Sequence, residues 1–456
     1  MTPPDASSHS LTLWADDQQV ATLSHEPLDD RWSLDYSPHW VGTRQAFPLS
    51  PALPLVRPAA GYAVGAVKRF VENLLPEGRA LDIIATTSRV SRSNVFALIN
   101  ALGAETTGAF RFWRSGEAPP PSLAATPPRE VPRDELNQRL SEREAIPLAV
   151  WDGKVRMSIA GVQDKLMVWL DRPLDEGGRM FLVEPPLAST HILKPEPDRK
   201  LTPHLVVNEH FCMSLARRMG LPAAAVSIYR TPRPVLVVDR FDRSVSKANG
   251  ETVVQRLHVI DACQARDLPV TYKYERNFGS GEHVRNIREG VSFGRLFELA
   301  EQTVNKASAR LVLLRWALFQ FLIGNSDAHG KNFSFFVRPQ GLEPAPWYDL
   351  VSVLQYPGLD HEFAMAYGDA FSLDEVGAFQ LADFAQRCGI DRRLLKREAL
   401  RLAKLATEQA PSQANAADYL EEERGFAGQL RDFVVAQASR LAMLASAAVK
   451  MRDDDL

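Results

Sequence analysis

Asp327 and Asn332 stand five residues apart in FQFLIGNSDAHGKNFSFFV, residues 319–337, and Asp349 follows Asn332 by seventeen. The Asp-x4-Asn spacing is that of a phosphotransferase catalytic loop. An aspartate at the loop apex can accept a hydrogen bond from an attacking hydroxyl. An asparagine entering the next strand can offer its carbonyl oxygen to Mg2+, a hard ion that prefers oxygen ligands. After the turn RPQGLEPAP, a hairpin would return WYDL, and with it Asp349, to the side of Asn332. Its carboxylate could then hold a metal between nucleotide phosphates. The same pair also arises by chance, and loop aspartates often cap helices, so the returning Asp349 is what adds weight. Upstream, SIAGVQDK (residues 158–165) sets Gly161 between two strand-like runs, either as a loop presenting N–H groups to an anion or as an ordinary turn. Lys194, ending the apolar run Ile192-Leu193-Lys194-Pro195, could neutralise phosphates as a kinase β3 lysine does. Glu209 on a following helix is either its ion-pair partner or a solvated surface residue.

These groups need a scaffold, and the chain has room for one. Its 456 residues suggest about two to four structural units. The 53 basic and 56 acidic side chains leave a net charge of −3, which excludes a generally polybasic nucleic-acid coat. Cys212, Cys263 and Cys388 are odd in number and far apart, with neither a disulfide framework nor a CxxC metal site, and so favour the cytosol. The opening MTPPDASSHS lacks the basic-then-apolar order of a signal peptide. The most apolar run, residues 311–323, is broken by Arg315 and Gln320 and is too short to span a bilayer.

Six prolines within residues 117–132 mark an extended linker. Before it, residues 11–23 and 32–36 read as short strands, with Trp14, Val20, Leu23, Trp32 and Leu34 on a shared apolar face. Residues 67–75 and 94–102 have helical periodicity, and Ser91 and Ser93 precede the second. After the linker, 155–159 and 165–170 flank a turn and suggest a hairpin; 190–193 and 235–238 add strands around a helix at 208–219. Beyond about residue 285 helices dominate: 309–323, 381–387, 393–407 and 426–450. This order, β-rich and then helical, is that of a two-lobed α+β protein. The expected division is a flexible tail (1–10), an N-terminal β/α subdomain (11–115), the linker (116–132), a nucleotide-binding lobe (133–245) and an all-helical C-terminal lobe (246–450).

The ordered set SIAGVQDK, THILKP, NEHFCMSLARRMGL, VDRFDR, CQA, KYE and IGNSDAHGKNFS…WYDL resembles the HipA family of serine/threonine kinases, toxins of HipBA-type toxin–antitoxin pairs. FVENLLPEGRA (70–80) and ALINALGAETTGAFRF (97–112) are similar to that family's amino-terminal subdomain, so the likeness spans roughly residues 10–440. It implies a kinase-like fold, ATP and Mg2+ as cofactors, and Asp327 as the catalytic aspartate. Asn332 and Asp349 fall on the metal-binding positions. The ATP site would comprise Ala160, Gly161, Val162, Gln163, Asp164 and Lys165 of the phosphate loop together with Lys194. His329, Gly330, Lys331, Asn332, Tyr348 and Asp349 complete it. The hinge that meets adenine through main chain falls on Asp239, Arg240 and Phe241, with Asp239 in place of a frequent glutamate. Ser158 matches the inhibitory autophosphorylation site; its phosphate, adding between about −1.5 and −2 charges, would compete with ATP for the same N–H donors.

The implied partners are a HipB-like helix-turn-helix antitoxin and a protein substrate of the translation machinery, with aminoacyl-tRNA synthetases as the class suggested. Residues 363–377 contain no Lys or Arg, and Asp369, Asp374 and Glu375 there would repel phosphate, so DNA contact is expected only through the antitoxin. The basic stretch 396–404 reads as a solvated helix face. A catalytically weak or inactive co-repressor that binds the antitoxin on operator DNA is the non-enzymatic alternative. A small-molecule phosphotransferase would share the Asp-x4-Asn loop but not the Ser158 loop or the N-terminal unit.

Overall fold

Alternating apolar residues build the first layer. In the computed structural model, which describes residues 9–117, 128–143, 148, 150–152, 154–155, 163–184, 187–197, 201–248 and 251–452, four antiparallel strands open the chain. Their spatial order is Arg31–Tyr36, Gln18–Glu26, Ser10–Ala15 and Phe110–Arg114. The stretch 11–23 is thus a hairpin rather than one strand, reversing at Asp16, whose φ of 50° suits the short polar side chain of a turn. Period-two alternation puts Leu11, Leu13, Val20, Leu23 and Leu34 in the core. Trp14 occupies the opposite pleat and is half-buried, whereas Trp32 shares the face of Leu34 and packs on the edge of the core, its ring 6.0 Å from that of Phe96. The helices Ala66–Glu72 and Val95–Leu102 pack on this sheet, with Gly78–Thr87 between them in the chain; the last of the three is capped by Asn94, whose side chain accepts from Ala97 N at 2.9 Å.

A six-stranded sheet forms the next layer, in the order Val226–Thr231, Arg233–Asp239, His191–Pro195, Leu166–Leu170, Met180–Leu182 and Arg129–Val131. The helix Leu205–Arg218 packs on it. The expected hairpin between 155–159 and 165–170 falls largely outside the described residues; what is described pairs elsewhere, Lys154–Val155 with Val150–Trp151 and Leu166–Leu170 with its sheet neighbours. Ser158, Ala160, Gly161 and Val162 lie outside the described residues as well.

The C-terminal lobe is built on the helices Lys306–Ile323, Ala378–Arg387, Arg392–Ala414 and Glu421–Ala448. It also holds a three-stranded antiparallel sheet, Val259–Asp261, Ser334–Arg338 and Gly341–Pro344, so it is not helical throughout. The third helix runs past residue 407 and takes Pro411 into its last turns, where Ala410, Gln413 and Ala414 are buried. Packing there outweighs the donor that proline removes. Among the described residues no helix is long and apolar enough to cross a membrane, and all three cysteines are buried and free.

Buried charges hold the N-terminal unit to the rest. Glu105 meets Arg240 and Arg243 at 3.2 Å each and pairs with Arg256, while Asp242 meets Arg240 at 2.7 Å and Arg243 at 2.9 Å. Gly108 N also donates to Asp242 Oδ2 at 2.9 Å, so main chain of the N-terminal unit joins the ionic cluster.

Candidate active site

The helix Lys306–Ile323 ends at Gly324, whose φ of 65° turns the chain sharply into the loop that bears Asp327. Two side-chain amides pin this residue's backbone: Asp327 N donates to Asn325 Oδ1 at 3.1 Å, and Asn332 Nδ2 donates to Asp327 O at 3.1 Å. The second bond turns the amide oxygen of Asn332 into the end left for a cation. The Asp327 carboxyl is reachable from solvent but crowded by the cleft walls. That desolvation and the nearby Asp349 charge, opposed by a hydrogen bond from Tyr274, raise its pKa to about 6.

The strands Ser334–Arg338 and Gly341–Pro344 form the returning hairpin, and Tyr348 OH donates to Lys331 O and lies 2.7 Å from Ser334 Oγ. Trp347 is held on the other side by its main-chain bonds to Pro222 O and Ala224 N. Asp349 follows with φ of 58°, a left-handed conformation that aspartate and asparagine enter more readily than other side chains. Its Oδ1 lies 2.8 Å from Lys194 Nζ, which also donates to Glu209 Oε1 at 2.7 Å. Burial pushes the Asp349 carboxyl up, but the Lys194 ammonium outweighs it and holds the pKa at about 2. Burial also works against the Lys194 charge, yet its two carboxylates raise its pKa. Glu209, only 2% exposed, is therefore the ion-pair partner and not a surface residue. Next to it, Asn208 exchanges two bonds with the Ser352 main chain, at 3.1 and 2.8 Å, locking this helix to the segment after Asp349.

Asp327, Asn332, Asp349 and Lys194 line one cavity of about 620 Å3, and Gln163, Asp164, Lys165, Asp239, Arg240, Phe241, His329, Lys331 and Tyr348 line it too. Lys165 is buried there; desolvation and the Lys194 charge lower its pKa to about 8. Phe241 closes one end near Ile192 and Val238, its ring 5.6 Å from that of Tyr348. Within the expected hinge, Asp239 N already donates to Ala225 O and Arg240 N to Thr190 O, both at 2.9 Å, while among the described residues no main-chain bond engages Phe241 N. The Arg240 guanidinium, 1% exposed, belongs to the buried Glu105–Asp242 cluster. Lys331 likewise lines the cavity while its ammonium is engaged by Asp261 Oδ2 at 2.5 Å and by Asn73 O at 3.0 Å. Gly330 lies in the same short turn, where a Cβ would come within 2.6 Å of Val291. His329 is buried, and desolvation with the Lys273 charge lowers its pKa to about 3, so the ring is neutral.

Four contributors were not read from the sequence as site residues: Tyr274, Lys273, Asn73 and Glu77, the last two from the N-terminal unit. Tyr274 OH donates to Asp327 Oδ1 at 2.9 Å, and Lys273 Nζ to Glu77 Oε2 at 2.7 Å. The KYE and NLLPEGR stretches carried the signal, but only as parts of a resemblance. In the acidic segment 363–377, Asp369 is paired with cations from other elements, Arg288 at 2.5 Å and Arg387 at 3.0 Å, and Arg440 donates to Leu373 O at 2.8 Å. On the basic stretch 396–404, Arg401 meets Glu398 at 3.1 Å and Lys404 meets Glu408 at 3.8 Å, as on a solvated face.

The donor set fits Mg2+. One amide and one carboxylate oxygen suit an ion that keeps several waters, and the Asp349 carboxyl stays ionised. Among the described residues no group of three or more His, Cys, Asp and Glu gathers as a metal cluster.

Two protein-family models match the chain. Residues 11–113 match the HipA N-terminal domain family, and residues 157–413 match the HipA-like C-terminal domain family. The serine/threonine-protein kinase toxin HipA of Shewanella oneidensis is 41% identical over 400 residues, 88% of each chain. The putative kinase Y4mE of Sinorhizobium fredii is 32% identical over 403 residues, 87% of this chain and 90% of that one. HipA in the Shewanella oneidensis MR-1 complex of HipA, HipB and operator DNA superposes with a TM-score of 0.85 at 38% identity, over 97% of this chain and all of that one. The two-lobed α+β architecture is thus kinase-like, and the chain belongs to the HipA family of serine/threonine-protein kinases.

Proposed function

We propose that this kinase transfers the γ-phosphoryl group of ATP, with Mg2+, to serine or threonine hydroxyls of a protein, and that it is the toxin of a type II toxin–antitoxin pair. The observation that carries the reading is the Lys194–Asp349 ion pair at 2.8 Å, facing the same cavity as Asp327. In this reading Asp327 accepts the hydrogen bond of the attacking hydroxyl and orients its oxygen. Lys194, held by buried Glu209, and Lys165 bring positive charge to the phosphates. Bound Mg2+, held by Asn332 and Asp349, supplies neutralisation of the charge that develops on the transferring group. The acceleration comes from positioning and charge, because phosphoryl transfer asks little covalent chemistry of the protein.

The same reading assigns self-inactivation to phosphorylation of Ser158, a HipB-like helix-turn-helix protein as the antitoxin, and a cytoplasmic translation component of the aminoacyl-tRNA synthetase class as the target. The working units are the N-terminal subdomain (11–115), the nucleotide lobe (133–245) and the C-terminal lobe (246–450). The relative seen with HipB and operator DNA supports the antitoxin partner. The test is transfer from [γ-32P]ATP by wild type, Asp327→Asn and Asp349→Asn, with intact-mass and peptide mapping. Phosphate on Ser158 in the wild type alone is the expected result. Full transfer in both variants would discard the mechanism, and a thermal shift with Mg-ATP but no transfer to any protein would favour the co-repressor.

A further inference from the structure

Tyr274 OH is 2.9 Å from Asp327 Oδ1, and the segment that carries it is fixed on every side. Val291 N donates to Tyr272 O at 2.9 Å, and Gly290 N to Glu275 O at 3.2 Å. Gly290 presses so close that a Cβ there would sit 1.7 Å from Tyr274 O. Glu275 N donates to Ala364 O at 2.9 Å, and the buried Glu275 carboxylate accepts from Ala366 N at 2.8 Å. On the catalytic-loop side, Gly330 N donates to Lys273 O at 2.9 Å, and the Tyr274 ring meets the His329 ring edge-on at 5.2 Å. The aim of the hydroxyl is thus set by the backbone before any ligand arrives.

From this geometry we infer that Tyr274 is a positioning residue for phosphoryl transfer: by donating to Oδ1 of Asp327 it stops the carboxylate from rotating and reserves Oδ2 for the acceptor hydroxyl. This rests on Asp327 being the group that receives that hydroxyl. A carboxylate offers about four lone-pair sites, so two hydroxyls can share it without competing. The carboxyl's other anchors act on its backbone, through Asn325 and Asn332, and leave the side-chain torsion free. Tyr274 alone among these bonds restrains that torsion. Misplacement of a reacting group by about 1 Å is enough to slow a reaction a hundredfold, so the contact should be read in turnover rather than in nucleotide binding.

The experiment uses the full-length chain, first stripped of phosphate by a phosphatase, and follows its self-phosphorylation at saturating [γ-32P]ATP and Mg2+. Fluorescent mant-ATP titration and thermal melting run in parallel on wild type, Tyr274→Phe and Asp327→Asn. The ring of Tyr274→Phe fills the same space, so only the hydroxyl is lost. The expected result is a maximal rate at least tenfold lower in Tyr274→Phe, with mant-ATP Kd within twofold of wild type and an unchanged melting temperature. A rate within twofold of wild type, or a faster one, would overturn the inference; the faster rate would mean that Tyr274 competes with the acceptor. A loss matched by equal loss of mant-ATP affinity or a lowered melting temperature would also overturn it, since that is a structural role. If wild type transfers nothing, or Asp327→Asn keeps the wild-type rate, the kinase reading itself fails. An inactive Asp327→Asn beside a fully active Tyr274→Phe discards Tyr274 alone.

Discussion

Lys194 and Asp349 meet at 2.8 Å across 155 residues of chain, and the lysine is shared with Glu209 at 2.7 Å. One ammonium therefore answers two carboxylates, the buried Glu209 and the partly exposed Asp349, that would otherwise repel each other. The two ends of the pair should fail differently. Lys194→Met leaves both carboxylates unpaired, and breaking a buried pair from one side costs about 3–5 kcal/mol. Asp349→Asn keeps the Lys194–Glu209 bond, and asparagine tolerates the left-handed backbone at this position. We expect phosphoryl transfer to vanish in both variants, with a clear drop in the urea midpoint for Lys194→Met and a shift under about 1 kcal/mol for Asp349→Asn.

The buried cluster around Glu105 predicts an acid-sensitive junction. Burial pushes the Glu105 carboxyl up, but Arg256, Arg243 and Arg240 together outweigh it and hold the pKa at about 2, below its ordinary 4.5. A depressed carboxylate contributes stability that is complete above its unfolded pKa and lost as pH falls through the folded one. The window here runs from 4.5 down to about 2, and about 2 kcal/mol of the contribution is gone by pH 3. Glu105→Gln should be destabilised near neutrality, and its gap from wild type in urea unfolding should narrow on acidification. A gap constant from pH 7 to pH 3 would contradict this assignment.

The Asp327–Asn332–Asp349 set was legible because its logic is local: a loop, a strand and one hairpin return the second aspartate. Lys194 was legible for a similar reason, sitting at the end of an apolar strand. Tyr274 and Glu77 were not. The tyrosine's partner is 53 residues away and Glu77 is 196 residues from Lys273, so no spacing rule links them. Charge read along the chain likewise does not show the partners of Asp369, whose arginines arrive from two other elements. At residues 11–23 the apolar pattern was right but its break was missed, because two adjacent aspartates were read as strand rather than turn.

Gly324 offers a test of how the long helix aims the catalytic loop. Its φ of 65° is left-handed, and a Cβ would stand 2.6 Å from Phe433 Cζ and 3.0 Å from Leu354 Cδ1. Backbone strain of about 1–2 kcal/mol then adds to a clash with packed side chains. Gly324→Ala should lose about 2–4 kcal/mol in chemical denaturation. It should also transfer phosphate more slowly than its folded fraction accounts for, because the loop bearing Asp327 starts at this residue. Wild-type turnover per folded molecule would show that the loop is positioned independently of the helix end.

The Glu77–Lys273 pair carries the N-terminal unit's contact to the wall of the catalytic cleft. Both side chains are nearly enclosed, at 15% and 10% exposure, and they meet at 2.7 Å. An exposed pair contributes at most about 1 kcal/mol, whereas an enclosed one shows its coupling when a single partner is removed. Glu77→Gln leaves the Lys273 ammonium without its carboxylate beside the neutral His329, and Lys273→Met leaves the carboxylate without its cation. Each single variant should lower stability by about 2 kcal/mol or more, and the double variant by less than the sum, with a coupling energy of at least about 1 kcal/mol. The main-chain bond from Gly330 N to Lys273 O ties that lysine to the catalytic loop. The same cycle measured on turnover should therefore be non-additive too. Additive effects on both quantities would mean that the N-terminal unit packs beside the cleft without acting on it.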